Sequence, residues 1–534
     1  MKKLFIPVLV FGLIGATLLG CSGGENQEVT DEGKVKLTAI MTKHPLTKSF
    51  AEMNWLKEAE DRAGIDIEWE EVTADWGQKK SPMLASGDIP DLIVGPNAVT
   101  DAEFAQFPGL FEDLSQHLDQ LPNVQTMFEE HPETKALATQ PDGKIYGLPK
   151  YQRFWPETAT RQFINKQWLD NLGLNVPTTW EELHEVLLAF KNEDANGNGD
   201  PNDEIPVDWA PVGTGGFGFF QPTVLLGSLG ITIEAGGGQG YFVEDGKVKN
   251  FFVDERYRTW VQFLNRLYRD GLVNPEVFTQ DYTKYQSLGR GDGQFAKVGY
   301  TYGWELTDRF GSELAGQYIV LPPLKVSADA DYELSWSYDY YHLNYGVNMI
   351  QLSSQTKHKE AALKFINELY DPVVSMQILF GDLGTHIEDH GNGTYTVLPP
   401  EDPSMDPGTW KWTSTWADNG PMYISDSLQL TLGSDMQSID EQTEPNKDVL
   451  ASIDKDNDLL YGMFLKYSVE DNRTLSNNHT VLMNLAMSKF AQWVTEGGIE
   501  AEWEAFVGQM FQQGLQQNLD IIQRYYDAYK AGSE

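Results

Sequence analysis

Apolar and polar residues alternate over Val35–Met41 (VKLTAIM), the spacing of a strand with one buried face. From Ser49 to Ala63 the interval lengthens: Phe50, Met53, Leu56 and Ala59 recur every third residue and Gly64 follows as a stop, which predicts a helix. Ile65–Val72 alternates again, Trp76–Ala85 has helical spacing, and Asp91–Val94 is a short apolar run. A βαβαβ opening of this kind predicts a mostly parallel sheet covered by helices. Asp142-Gly143 marks a turn leading into Lys144–Leu148, and Tyr241–Val253 reads as a hairpin about Asp245-Gly246. Helical spacing returns at Lys166–Leu172, Trp180–Lys191, Glu255–Tyr268, Lys357–Tyr370 and Val373–Phe380. It closes the chain over Thr480–Trp493 and Ala501–Tyr529. No segment of roughly 20–50 residues repeats, which argues against a solenoid or propeller. The fold class is α/β.

Composition narrows the partners. The 534 residues carry 79 Asp and Glu against 39 Lys and Arg, a formal charge of −40. That balance argues against nucleic acid, whose phosphates need a basic surface. The single Cys excludes an intramolecular disulfide framework and a Cys-rich zinc site. Its place is informative. Met1-Lys2-Lys3, the apolar run Leu4–Leu19 and Gly20-Cys21 have the order of a secretory signal peptide. Leu18-Leu19-Gly20-Cys21 resembles a bacterial lipobox, which implies a leader over 1–20 and diacylation (palmitate-type chains) of Cys21, the lipid anchor on the outer face of the cell membrane. Two chains hold a protein at a membrane where one gives only marginal attachment. The alternative, an uncleaved anchor, would need about 20 apolar residues to span. Ser22–Gly33 is polar and Gly-rich, suited to a tether over 21–36.

Several blocks together resemble one family. Met83-Leu84-Ala85-Ser86-Gly87-Asp88-Ile89-Pro90-Asp91 and Asp142-Gly143-Lys144-Ile145-Tyr146-Gly147-Leu148-Pro149 are similar to segments of family 1 extracellular solute-binding proteins. So are Asn165–Leu174 with Val176–Leu183, where Thr179 can cap a helix with Glu182 three residues on, and His358–Ile366. Within the family the chain looks most like the large Gram-positive lipoproteins related to alginate-oligosaccharide-binding proteins. The resemblance implies a two-lobed periplasmic-binding-protein-like fold (type II-like), with hinge strands between lobes formed by 37–152 with 344–385 and by 153–343 with 386–534. Crossings would fall near Pro149–Trp155, Tyr340–Val347 and Gly381–Ile387. It also implies a monomeric, non-enzymatic capture protein that delivers solute to ABC permease subunits.

Candidate chemistry follows two patterns. In Asp194-Ala195-Asn196-Gly197-Asn198-Gly199-Asp200-Pro201-Asn202-Asp203-Glu204, oxygen side chains recur at Asp194, Asn196, Asn198 and Asp200 as in the first half of an EF-hand loop. The twelfth position is Ile205, so Asp203 and Glu204 would close a structural Ca²⁺ shell; the bland alternative is an acidic turn. The second pattern is aromatic. A carbohydrate cleft needs flat apolar platforms beside hydrogen-bonding groups. Loop aromatics and their neighbours supply candidates: Trp76, Tyr151, Arg153, Trp155, Tyr302, Trp304, Glu305, Trp336, Tyr338 and Trp410, with His386 placed at the third crossing. Trp168, Trp180 and Trp260 sit on helices and read as core. Gly213-Thr214-Gly215-Gly216-Phe217-Gly218 lacks the strand-to-helix setting of a dinucleotide loop. His386-Ile387-Glu388-Asp389-His390 precedes a Gly391-Asn392-Gly393 turn and reads as a strand, not a zinc helix. An oligosaccharide is the expected ligand. A secreted calcium-stabilised polysaccharide hydrolase or lyase, or a peptide-binding receptor of the same fold, stay open as alternatives.

Overall fold

The computed structural model describes residues 29–30, 33–402, 405 and 407–533. Cys21, the leader and most of the tether lie outside them. The first sheet contains β1 (Val35–Thr42), β2 (Ile65–Val72), β3 (Leu92–Val94) and β4 (Leu148–Tyr151). Alternation along β1 serves two layers. Leu37, Ala39 and Met41 enter the main core, whereas Ile40 packs with Ile93, Leu84 and Phe104 on the opposite face. Such a sheet needs helices on both sides.

The second sheet is built from β5 (Arg161–Asn165) and β6 (Ile205–Val207), followed after the hairpin β7 (Tyr241–Glu244) and β8 (Lys247–Asn250) by β9 (Val298–Gly303) and β10 (Tyr318–Leu321). The chain then returns through β11 (Tyr345–Leu352) to the first sheet, whose order is β2-β1-β3-β11-β4. β11 runs antiparallel to both β3 and β4. The second sheet has the order β10-β5-β9-β6. These sheets are the centres of two lobes. β4 and β11 lie side by side where the chain passes between them, and the expected crossing at Tyr340–Val347 is a short helix, Tyr340–Asn344, running into β11. β12 (Ile387–Asp389), β13 (Thr394–Val397) and β14 (Gln429–Thr431) form a small third sheet.

Helices begin and end as the sequence suggests, with some breaks it did not suggest. Gly64, at φ 76°, stops Asn54–Ala63, but the run expected from Ser49 is interrupted at extended Met53. Thr179 caps Trp180–Asn192, while the Glu182 carboxylate turns to the Thr178 amide at 2.7 Å instead of to Thr179. The last helices are Val469–Glu496, Ile499–Gln512 and Leu515–Ser533; Gly514, at φ 98°, divides the stretch expected to be continuous.

The sequence division of the lobes differs from the packing after residue 386. Trp416 is buried in the first lobe, with its ring 5.0 Å from Trp55 and 5.4 Å from Trp69, centroid to centroid. The Tyr151 amide donates to Met422 O at 2.9 Å, and the Ile424 amide donates to Tyr151 O at 3.1 Å. A segment assigned to the second lobe therefore completes the first. Among the described residues no helix is long and apolar enough to cross a membrane.

Candidate functional site

A cavity of about 580 Å³ opens between the lobes. Pro96, Lys150 and Lys411 approach it from the first lobe, Trp155 and His342 from the crossings, and Trp304 and Glu305 from the second lobe. The indoles of Trp155 and Trp304 meet edge to face, with centroids 5.5 Å apart at 73°. Each ring is held from behind. The Trp155 amide donates to Asn344 Oδ1 at 3.0 Å, and Asn344 Nδ2 returns a bond to Trp155 O at 2.9 Å. Fully buried Arg161 donates to Trp304 O, and its guanidinium lies 5.3 Å from the indole centroid. Glu305 caps the helix Leu306–Leu314 by accepting from the Asp308 amide at 2.9 Å, and it also accepts from Ser438 and Gln442.

The floor is charged. Asp418 Oδ1 accepts from Lys150 Nζ at 3.1 Å, Gln152 Nε2 at 2.6 Å and Trp155 Nε1 at 3.0 Å. Lys411 Nζ sits 4.4 Å from the centroid of the Trp155 ring. Burial pushes the Asp418 carboxyl up, but Lys150, Lys411 and the indole bond outweigh it and hold the group at about 2. The usual value is 3.8, so Asp418 favours the folded state above that pH, and the contribution disappears as pH falls towards 2. We expect urea denaturation to show roughly 2 kcal/mol more stability lost over this interval in the native protein than in Asp418→Asn. Equal losses in both would exclude Asp418 as the source.

The cavity therefore gathers Trp155, Trp304 and Glu305 from the sequence candidates. Others are elsewhere. Trp336 is wholly buried and donates to Thr160 O at 2.9 Å, so it is core and not a platform. Tyr302 lies inside the second sheet beside Tyr300, and Tyr338 is buried with Lys455 over its ring. Tyr151 packs among His131, Tyr345 and Tyr423. Arg153 is engaged by Ser425 O, Asp426 and Leu428 O, outside the cavity wall. Trp76 is tied to Ala98 O at 2.9 Å on the far layer of the first sheet. Trp410 stacks on His386 at 4.4 Å, and neither lines this cavity. His386 is separated from His390, whose Nε2 is bonded to Thr396. Phe217 of the Gly-rich segment is buried against Phe252 and Phe490, and no helix follows it directly.

Lys150, Lys411, Asp418 and Asn344 were not singled out from the sequence. Lys150 carried a signal: one cation inside the apolar run Leu148–Tyr151 needs a buried partner. Asp418 carried none, because its partner is 268 residues away.

The acidic loop has the oxygen donors for a hard cation. Asp194 and Asn198 accept from backbone amides of the loop, and Asn196 and Asn198 both donate to Asp203. Glu204 Oε2 is buried without a hydrogen-bond partner among the described residues. Burial and the neighbouring Asp203 charge raise the Glu204 pKa, the shift a nearby cation would reverse. No trio of His, Cys, Asp or Glu among the described residues is grouped to hold a metal.

Two lobes joined by crossing segments, with Trp155 and Trp304 in contact at the cavity between them, are the arrangement of a solute-binding protein. The chain belongs to the bacterial extracellular solute-binding protein family, whose model matches residues 45–375. It is similar to the fructooligosaccharide ABC transporter substrate-binding protein FusA of Streptococcus pneumoniae, at 27% identity over 493 residues, 89% of this chain and 87% of FusA. An HMO-binding, ABC-transporter-associated solute-binding protein from Bifidobacterium longum infantis superposes with a TM-score of 0.86 at 34% identity, covering 93% of this chain and 99% of that one. FusA in complex with kestose gives 0.80 at 26% identity, covering 93% of this chain and 100% of that one. FusA has also been solved as an EF-hand mutant with fructo-nystose.

Proposed function

We propose that this protein captures an oligosaccharide in the interlobe cavity and delivers it to the permease of an ABC importer. The observation that carries this reading is the Trp155–Trp304 pair, two indoles brought from different segments to one cavity beside Lys150, Asp418 and Glu305. Indole faces match the C–H faces of sugar rings, and the charged rim serves their hydroxyls. Ligand binding favours the closed form by touching both lobes at once. Lys466 of the second lobe is paired with Asp101 of the first at 2.8 Å, a further contact between the lobes. The oligosaccharide-binding relatives FusA and the Bifidobacterium protein support the ligand class.

Titration calorimetry with neutral and acidic oligosaccharides, and peptides as controls, tests the reading. Saturable binding without product formation is expected; release of reducing ends, or heat from peptides alone, would overturn it.

We further infer that Cys21 carries the lipid anchor and that Asp194, Asn196, Asn198, Asp200, Asp203 and Glu204 hold a structural Ca²⁺. The ion would neutralise the loop carboxylates and pin the connection between the Trp180–Asn192 helix and β6. The FusA EF-hand lends support. Chelation should lower the melting temperature by on the order of a few degrees, restored by added Ca²⁺. An unchanged melt with no calcium by native mass spectrometry would remove this site.

A further inference from the structure

The helix Pro407–Ser414 brings a third indole to the interlobe cavity. Two residues of helix turn a side chain by about 200°, so Trp410 and Trp412 point to opposite sides. Trp410 faces His386, and Trp412 lines the cavity. The loop after β1 holds it there. Thr47 Oγ1 donates to Trp412 O at 2.9 Å, the Lys48 amide donates to Thr413 O at 3.0 Å, and the His44 ring backs the indole with centroids 4.6 Å apart. Leu46 of the same loop, 53% exposed, extends this apolar wall along the cavity. Trp412 thus belongs to the first lobe, whereas Trp304 comes from the second.

The charges around the same cavity limit what can lie between these indoles. Two cations, Lys150 and Lys411, line it with three carboxylates, Glu305, Asp308 and Asp418. Burial pushes the His342 pKa down to about 4, so this imidazole adds no charge at neutral pH. Both cations are committed. The Lys150 side chain is 6% exposed, and its ammonium donates to Asp418 O at 2.9 Å as well as to the carboxylate. Lys411 lies over the Trp155 ring, and its charge acts on Asp418. An acidic sugar would therefore add negative charge to a wall already in carboxylate excess. Unpaired and like charges discriminate against a ligand as effectively as good contacts select one. A cationic sugar would find Glu305 taken by the Asp308 amide, Ser438 and Gln442, and Asp418 taken by Lys150, Gln152 and Trp155. Sugar hydroxyls need no counter-charge, and their ring C–H faces match the indoles.

We propose that Trp412 and Trp304 are the platforms of the two lobes, and that the cleft selects an uncharged oligosaccharide spanning them while rejecting uronic and amino sugars. This rests on the capture reading and adds to it a ligand class and a first-lobe contact. A ligand that bridges the lobes favours the arrangement in which both indoles reach it. Asp308 and Asp418 act as specificity-determining residues, since their charge is what an acidic sugar meets.

The test is a calorimetric panel of trisaccharides: kestose, maltotriose, cellotriose and xylotriose as neutral probes, trigalacturonic acid as the anion and a glucosamine trimer as the cation. The tightest binder is expected to be neutral, by roughly tenfold or more over either charged trimer. Asp308→Asn and Asp418→Asn should each narrow the gap to trigalacturonic acid by about threefold or more. Trp412→Ala should weaken the neutral binder by about tenfold, and Trp412→Phe should keep most of the affinity. Melting curves check that each variant folds, and Asp308→Asn serves alone if Asp418→Asn does not. A charged trimer that binds tightest, a gap unchanged in the folded Asn variants, or native affinity in folded Trp412→Ala would each overturn the proposal. The capture reading fails separately, if no member of the panel binds or if Trp304→Ala leaves the affinity intact.

Discussion

Trp304→Ala is expected to weaken oligosaccharide binding by about 30- to 100-fold, equivalent to roughly 2–3 kcal/mol. The indole is half-buried at the end of β9, and its position is enforced by Arg161, itself fully buried. The loss should therefore appear in affinity with little change in melting temperature. Arg161→Ala should do the reverse in part, lowering stability as well as affinity, because it leaves Trp304 O, Ile439 O and Thr443 without their shared donor. Intrinsic tryptophan fluorescence and calorimetry on the same samples separate the two effects. Unchanged affinity in Trp304→Ala would remove the indole pair from the site.

The largest effect on stability should come from Arg309→Ala. Arg309 and Asp208 are each wholly buried, with Nη2 and Oδ2 3.0 Å apart. Asn274 and Gln280 donate to the same carboxylate, and the guanidinium lies 3.7 Å from the Tyr285 ring centroid. Burial pushes the Asp208 pKa up, and Arg309 is the cation that opposes it. Removing Arg309 leaves a carboxylate in the core without a counter-charge, at a cost of about 3–5 kcal/mol. The Asp208→Leu/Arg309→Met pair, which removes both charges, should recover much of that loss. Guanidinium denaturation of the single and double variants measures the difference; a double variant as unstable as Arg309→Ala would mean that packing, not charge, sets the cost. The pair also steadies the helix Leu306–Leu314, whose first turn is capped by Glu305 of the cavity.

How far these features could be read in advance depends on how local their causes are. The strands of the first sheet and most helices follow from alternation, helical spacing and glycine stops within a few residues. Trp155 and Trp304 could be singled out because each follows a strand in a loop, where an aromatic has no helix face to fill. Trp336 also read as a loop aromatic, ahead of the second crossing, and is core, because its partner Thr160 lies 176 residues away. The charged floor was unreadable for a similar reason. Asp418 sits on a turn whose Ala417 adopts φ 46°, with no local motif to mark it, and it becomes meaningful only beside Lys150. The Met53 interruption escaped notice because Met continues the apolar spacing while its backbone is extended.

The late return of Trp416 to the first lobe also sets a clock on folding. A chain that emerges N-terminus first presents β1, β2 and β3 early, yet the ring that packs on both Trp55 and Trp69 is missing until residue 416 arrives. Domains generally fold as units during synthesis, and this unit is incomplete until most of the chain exists. The packing of the first lobe is thus tied to a residue more than three-quarters of the way along the chain, and truncation before Trp416 would leave that lobe without one of its core rings.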